Sequence, residues 1–156
     1  MKIRVSVNKG WLIHSARTAV AAAVSLAAAR LAGMPEAYWA SISTLIAMQS
    51  SLGAAWNVSK PRFIGTALGA AAGGLLASYL HVTLPVFAAA IFFIGLVCAA
   101  LGLDQSAYRY AGITFTIVTL VTKAAPYVEA IHRFAEVSIG IAVALLMSAI
   151  WPVVEK

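Results

Sequence analysis

Apolar residues gather into six long runs separated by short polar breaks: 18–33, 37–56, 63–80, 84–103, 108–121 and 134–153. A helix that crosses a bilayer needs about 20 residues, within a range of roughly 17–25. Runs two, three, four and six meet that length. Runs one and five are short and must recruit flanking residues or be shielded by protein. Lipid offers backbone groups no partners, so every run is predicted to be helical. The breaks "GMPEAY" (33–38), "NVSKPR" (57–62), "HVTLP" (81–85), "LDQSAY" (103–108) and "KAAPYVEAIHR" (123–133) carry the prolines and most remaining charges. Pro61 and Pro85 stand where a first helical turn would begin, which suits a residue without an N–H. Tyr38, Trp39, Trp56, Tyr79, Tyr108, Tyr110, Tyr127 and Trp151 fall at run ends, as an aromatic belt would put them. Breaks this short force an up-down, antiparallel order.

Composition sharpens that picture. Of the 156 residues, 62% are hydrophobic and 10% charged, against about 25% charged in soluble domains. So few charges could not cover the surface of a water-soluble bundle. The net charge of +6 is not a nucleic-acid signal, because the cations punctuate apolar runs and form no patch interleaved with aromatics. They read as topology markers. With the N-terminus inside and six spans, the inner side holds eight cations: Lys2, Arg4, Lys9, Arg17, Lys60, Arg62, Arg109 and Lys156. The outer side holds three, Arg30, Lys123 and Arg133. Both termini are therefore expected in the cytoplasm. Residues 1–16 read as a cytoplasmic or interfacial segment, with Trp11 at headgroup level or the whole a frayed tail, and residues 17–156 as the transmembrane domain. Residues 1–29 also share the layout of a signal peptide, a basic stretch, an apolar stretch and Ala27-Ala28-Ala29.

Chemistry-bearing motifs are sparse. His14, His81 and His132 are isolated, so no zinc spacing exists. The chain has no phosphate loop of the GxxxxGK kind and no GxSxG elbow. Cys98, alone in mid-run, reads as a small apolar filler. No catalysis, cofactor or metal is expected.

Inside the third run Gly65, Gly69, Gly73 and Ala77 recur every four residues, on one helical face. Glycine costs roughly 1 kcal/mol in a helix interior relative to alanine. In lipid, small residues offset this by letting two backbones approach closely. A shift of 71 positions carries Arg62-Phe63 onto Arg133-Phe134 and the stripe onto Glu136, Gly140, Ala144 and Ser148. It also carries "WASISTLI" (39–46) onto "YAGITFTI" (110–117). Two three-span halves follow. Three is odd, so the halves face opposite ways across the membrane, and two arginine-headed helices lie against each other in opposite senses through their small residues.

Where the first half has Gly65, the second has Glu136. A carboxylate inside a span is costly unless paired or solvated; Arg133, three residues earlier, and Glu129, four before Arg133, are its local partners. The group is either an ion pair that sets helix depth or an anion or proton site. Arg62, near the start of a span with its positive dipole end, is either a lipid-headgroup anchor or a site for a carboxylate or phosphate. Arg30 with Glu36 carries the same ambiguity, and Asp104 with Arg109 reads as a loop pair. Thr116, Thr119 and Thr122 share a face of run five. Their hydroxyls either bond back to their own helix or line a wet path opposite Ser41, Thr44, Met48 and Gln49 of run two.

Residues 38–74 ("YWASISTLIAMQSSLGAAWNVSKPRFIGTALGAAAGG") and 132–152 ("HRFAEVSIGIAVALLMSAIWP") resemble the membrane module of the fusaric-acid-resistance-like, aromatic acid exporter family. There an arginine opens a span and a Gly-Thr-x-x-Gly pattern follows, matched here by Arg62, Gly65, Thr66 and Gly69. A later span pairs an arginine with a glycine and ends near a proline, matched by Arg133, Gly140 and Pro152. The resemblance covers about residues 18–152. It implies an inner-membrane bundle of six helices that exports aromatic carboxylic acids or other organic anions, with Arg62 and Arg133 facing the substrate. Relatives often carry two membrane modules, or one with a soluble domain; a single module implies a homo-oligomer, a dimer or higher.

The sequence therefore reads as an all-α integral membrane protein with six transmembrane helices in a 3+3 inverted repeat. Its expected substrate site comprises Arg62, Arg133, Glu136, Thr116, Thr119 and Gln49, with Glu136 modulating charge or coupling protons. Gly65, Gly69, Gly73, Gly140, Ala144 and Ser148 are the expected packing residues. The alternatives are a membrane scaffold or partner subunit that transports nothing, and a passive anion channel.

Overall fold

The structure, a computed structural model, describes residues 9–121 and 125–152. The expectations for Lys2, Arg4, Thr122, Lys123 and Lys156 fall outside those residues. Among the described residues every regular element is helical. They are α1 (Lys9–Leu31), α2 (Tyr38–Ala47), α3 (Leu52–Tyr79), α4 (Leu84–Ala100), α5 (Gln105–Thr116) and α6 (Pro126–Ile150), with a π-helical turn, Ile117–Val121, directly after α5. By length and composition α1 and α6 can cross a membrane, and α4 is apolar but shorter.

The helices depart from the expected runs in ways the local chemistry explains. Lys9–Ala16, read as part of a separate N-terminal segment, form the first two turns of α1. Run two is not one helix. It stops at Ala47, Met48 is extended, and Ser51 starts α3 by accepting the Ala54 N–H at 3.3 Å. Serine is a preferred N-cap, and the polar Gln49-Ser50-Ser51 supplies it in the middle of an apolar stretch. Consequently "NVSKPR" is not a break: it lies within α3, and Pro61 sits inside the helix rather than at its start. Arg62 follows Leu52 by ten residues, about 15 Å along the axis, beyond the first turn where the helix dipole acts. The helix dipole therefore does not assist Arg62. Likewise "PYVEAIHR" is helical, as the opening of α6. Pro85 does occupy the first turn of α4, as expected.

Helices α1 and α4 end alike. The amide of Met34 bonds the Ala29 carbonyl and that of Gly33 the Arg30 carbonyl; Leu103 and Gly102 repeat the pattern on Cys98 and Ala99. Both motifs need a left-handed residue, and Gly33 (φ 72°) and Gly102 (φ 65°) provide it.

Helices α3 and α6 run antiparallel at the centre. The rings of Phe63 and Phe134 stack at 5.0 Å, while Gly74, farther along α3, meets Ala130 and Tyr127, earlier on α6. Helix α5 packs on α3, α2 packs on α6, and α1 covers α2 and α6. Alanines supply much of the buried contact: Ala21, Ala47 and Ala144 with Met48 in one cluster, Ala29, Ala37 and Ala40 in another, and Ala111 with Ile94, Cys98 and Phe115 in a third. Helix α4 leans on α5 and barely touches α3. The gap holds an apolar cavity of about 620 Å³ lined by Leu68, Leu75, Phe93 and Val97 among others.

Candidate functional site

Two buried arginines sit at the centre, each over an aromatic ring. The Arg62 guanidinium lies 4.8 Å from the Tyr110 ring centroid, and that of Arg133 lies 4.4 Å from Trp39. Such stacking is favourable, the more so when desolvated. Their polar surroundings differ sharply. Arg133 Nη2 donates to Glu36 Oε2 at 2.5 Å and to Glu129 Oε1 at 2.6 Å, and Nη1 stands 3.6 Å from Glu136 Oε2. Glu136 Oε1 accepts the backbone N–H of Glu36 at 3.0 Å, and Glu36 Oε2 also accepts the Trp39 indole N–H at 3.1 Å. Arg62, by contrast, forms no ion pair among the described residues. Its Nη2 donates to Ser43 Oγ at 3.0 Å, and Ser43 in turn donates to the Trp39 carbonyl at 2.8 Å.

The surroundings of the two arginines are related by the 71-position shift. Arg62 over Tyr110 becomes Arg133 over Trp39. Gly69 against the Ala111 carbonyl becomes Gly140 against that of Ala40, and Gly65 against Ala107 becomes Glu136 bonded to Glu36. Phe63 and Phe134, related to each other, touch.

The small-residue stripes work differently from the expectation. They do not join α3 to α6. Gly65, Gly69 and Gly73 face α5 and the π-helical turn, at Ala107, Ala111 and Val118; Gly140 faces α2, at Ala40 and Ser43. Ala144 packs with Ala21 and Ala47, and Ser148 is buried. Small residues are needed here because backbone meets backbone: a Cβ on Gly69 or Gly140 would overlap the carbonyl oxygen opposite. Helices α3 and α6 instead touch through Phe63, Phe134, Ala70 and Ala130.

Several expected groups lie apart from the arginines' contacts. Thr116 and Thr119 donate to the Gly112 and Phe115 carbonyls of their own helix, at 2.7 and 2.8 Å. Thr44 donates to Ala40 and, across the helix interface, to Gly140, both at 3.0 Å. Gln49 sits in the α2–α3 break, where its backbone carbonyl accepts from Arg17. Glu36 pairs with Arg133 rather than Arg30, and Asp104 caps α5 by accepting the Ala107 N–H at 2.9 Å instead of holding Arg109.

Arg17 is the group sequence reasoning passed over as a topology marker. Fully buried, it donates to the Gln49 carbonyl and, at 2.6 Å, to the Trp151 carbonyl, so one guanidinium ties the C-terminal ends of α2 and α6 to α1. Cations suit helix C-termini. Only the run-two break would have signalled it, by freeing the Gln49 carbonyl. Trp39 and Tyr110 do carry a sequence signal, because the 71-position shift pairs them as aromatics.

Glu36, in the turn before α2, is the carboxylate of the Arg133 cluster that lies outside the helices. Burial pushes its pKa up, but the hydrogen bond and charge of Arg133, with donors from Tyr38 and Trp39, outweigh burial and hold it below its ordinary value.

No curated protein and no solved structure matches the chain. The family model described as fusaric acid resistance protein-like matches residues 20–147. That stretch takes in both arginines, their aromatic rings, the α3 stripe and the second stripe as far as Ala144. With an all-helical bundle whose α1 and α6 are apolar and long enough to cross a bilayer, the match means that this chain belongs to the fusaric acid resistance protein-like family of membrane transport proteins.

Proposed function

We propose that the chain moves organic anions, aromatic carboxylates foremost, out of the cell across the inner membrane, as a homo-oligomer with both termini in the cytoplasm. The single observation that carries this reading is Arg62: a buried guanidinium with no carboxylate partner among the described residues, an aromatic ring on its face and a serine hydroxyl at its edge. A desolvated guanidinium without a counter-ion is unstable, and an entering carboxylate supplies that charge while its ring finds Tyr110. Arg133, already held by carboxylates, serves as the structural mate of Arg62 rather than as the first anion contact. The recurrence of contacts at the 71-position shift, with α3 antiparallel to α6, supports a 3+3 inverted repeat of six spans, in which α2 and α5 flank the path. The short α2 and the π-helical end of α5 fall at corresponding positions of the two halves, the broken-helix signature of transporter sites. Glu136, Thr116, Thr119 and Gln49 are secondary members of the path.

The test is flux in liposomes containing the purified chain. Benzoate efflux should be lost in Arg62→Ala, with folding judged by circular dichroism. Folded oligomers that pass no anion would favour a scaffold or partner subunit. Conductance that persists with no proton gradient would favour a passive channel.

A further inference from the structure

Three carboxylates surround one guanidinium at the start of α6. Glu129, Arg133 and Glu136 are each at most 3% exposed. The two hydrogens of Arg133 Nη2 are committed to Glu36 and Glu129. Glu136 is left with a single bond, from the Glu36 amide to Oε1; its Oε2 is buried and has no partner. Nη1 of Arg133, also unpartnered, stays 3.6 Å away, a full ångström farther than the Glu129 contact. An ionised Glu136 would close that gap, since a guanidinium and a carboxylate bond at about 2.7–2.9 Å. Charge counting agrees. With all groups ionised the cluster carries three negative charges against one positive, an excess that a buried site does not sustain.

Among the described residues no other positive group faces it. Helix α2 contributes Tyr38 and Trp39. Helix α1 meets this end with Leu26 and Ala29; α3 and the π-helical turn bring Ala70 and Val118 to Ala130 and Phe134. Arg62 is bonded to Ser43. Among the described residues no group of three acidic, His or Cys side chains is arranged to hold a metal ion.

We propose that Glu136 is a proton-binding site, its carboxyl carrying a proton on Oε2 at neutral pH. The proton cancels one of the two excess charges, and Glu36, which is partly exposed, leaves the other to solvent. Ionising Glu136 would release this proton and draw Arg133 Nη1 toward it. The proposal concerns proton binding alone and stands whether or not the chain moves organic anions.

Infrared spectroscopy of the full chain in lipid nanodiscs tests it. The wild type should show a protonated-carboxyl C=O band at neutral pH that shifts in D₂O and is lost on alkalinisation. Glu136→Gln should remove the band and Asp104→Asn should keep it. Glu136→Gln should also fold and melt as the wild type does, because a neutral amide preserves the acceptor for the Glu36 N–H. A wild type without the band, a band that survives Glu136→Gln, or a Glu136→Gln chain that fails to fold would each overturn the assignment.

Discussion

Alanine at Gly140 is the sharpest perturbation of this bundle. The new Cβ would overlap the Ala40 carbonyl oxygen and stand 2.6 Å from Ser43 Cβ and 3.0 Å from the Ala40 carbonyl carbon. Carbon atoms rest at about 3.5–4.0 Å, so α2 and α6 must part by roughly 1 Å. The obstacle is largely backbone, so no rotamer change relieves it. Overpacking of this kind costs about 1–3 kcal/mol. The Thr44 hydrogen bond to the Gly140 carbonyl is stretched as well, at a net cost of about 0.5–1.5 kcal/mol. Against these, alanine gains about 1 kcal/mol of helix propensity over glycine. The balance is a destabilisation of about 2 kcal/mol. Gly112, inside α5, is the control: its nearest neighbour would be Ile91 Cδ1 at 3.7 Å, an ordinary contact. Gly112→Ala should stabilise by up to about 1 kcal/mol. Equilibrium unfolding in mixed micelles, followed by circular dichroism, measures both. Equal stability of the two variants would refute the close-approach account of the stripe.

Other outcomes follow from the same geometry. Arg17→Met should cost about 3–5 kcal/mol in the same unfolding assay, since it strands two carbonyls that accept charge-assisted bonds worth roughly 1.5–3 kcal/mol each. Phe63→Ala and Phe134→Ala should couple by about 0.5–1.5 kcal/mol in a double-mutant cycle; strict additivity would mean that α3 and α6 do not meet there. Glu36 has a folded pKa below its unfolded value, so its contribution is present above the ordinary glutamate value of 4.5 and is lost as pH falls through the folded one. Melting temperature should therefore decline on acidification through that window, and Glu36→Gln should flatten the decline.

From residues alone come the apolar surroundings, the helical class and the 71-position correspondence between two stretches of the chain. Charge content forces apolar surroundings, and lipid admits no unpaired backbone, so helices follow without any knowledge of packing. The 71-position shift pairs Trp39 with Tyr110 as aromatics from residue type alone, and each does lie under one of the paired arginines. The Glu129–Arg133 pair was legible too, being one helical turn apart. Boundaries were not, because a hydrophobic run does not reveal that Ser51 caps a new helix within it or that Pro61 lies inside one. Nor were partners separated by 97 or 134 residues, Arg133 with Glu36 and Arg17 with Trp151. Packing across the bundle settles that Arg133 gains a third carboxylate and that Arg62 has no counter-ion among the described residues. Glu129 and Glu136 flank Arg133 along α6 itself, but Glu36 reaches it only because a distant turn folds onto α6, whereas the fold brings Arg62 the Ser43 hydroxyl and the Tyr110 ring.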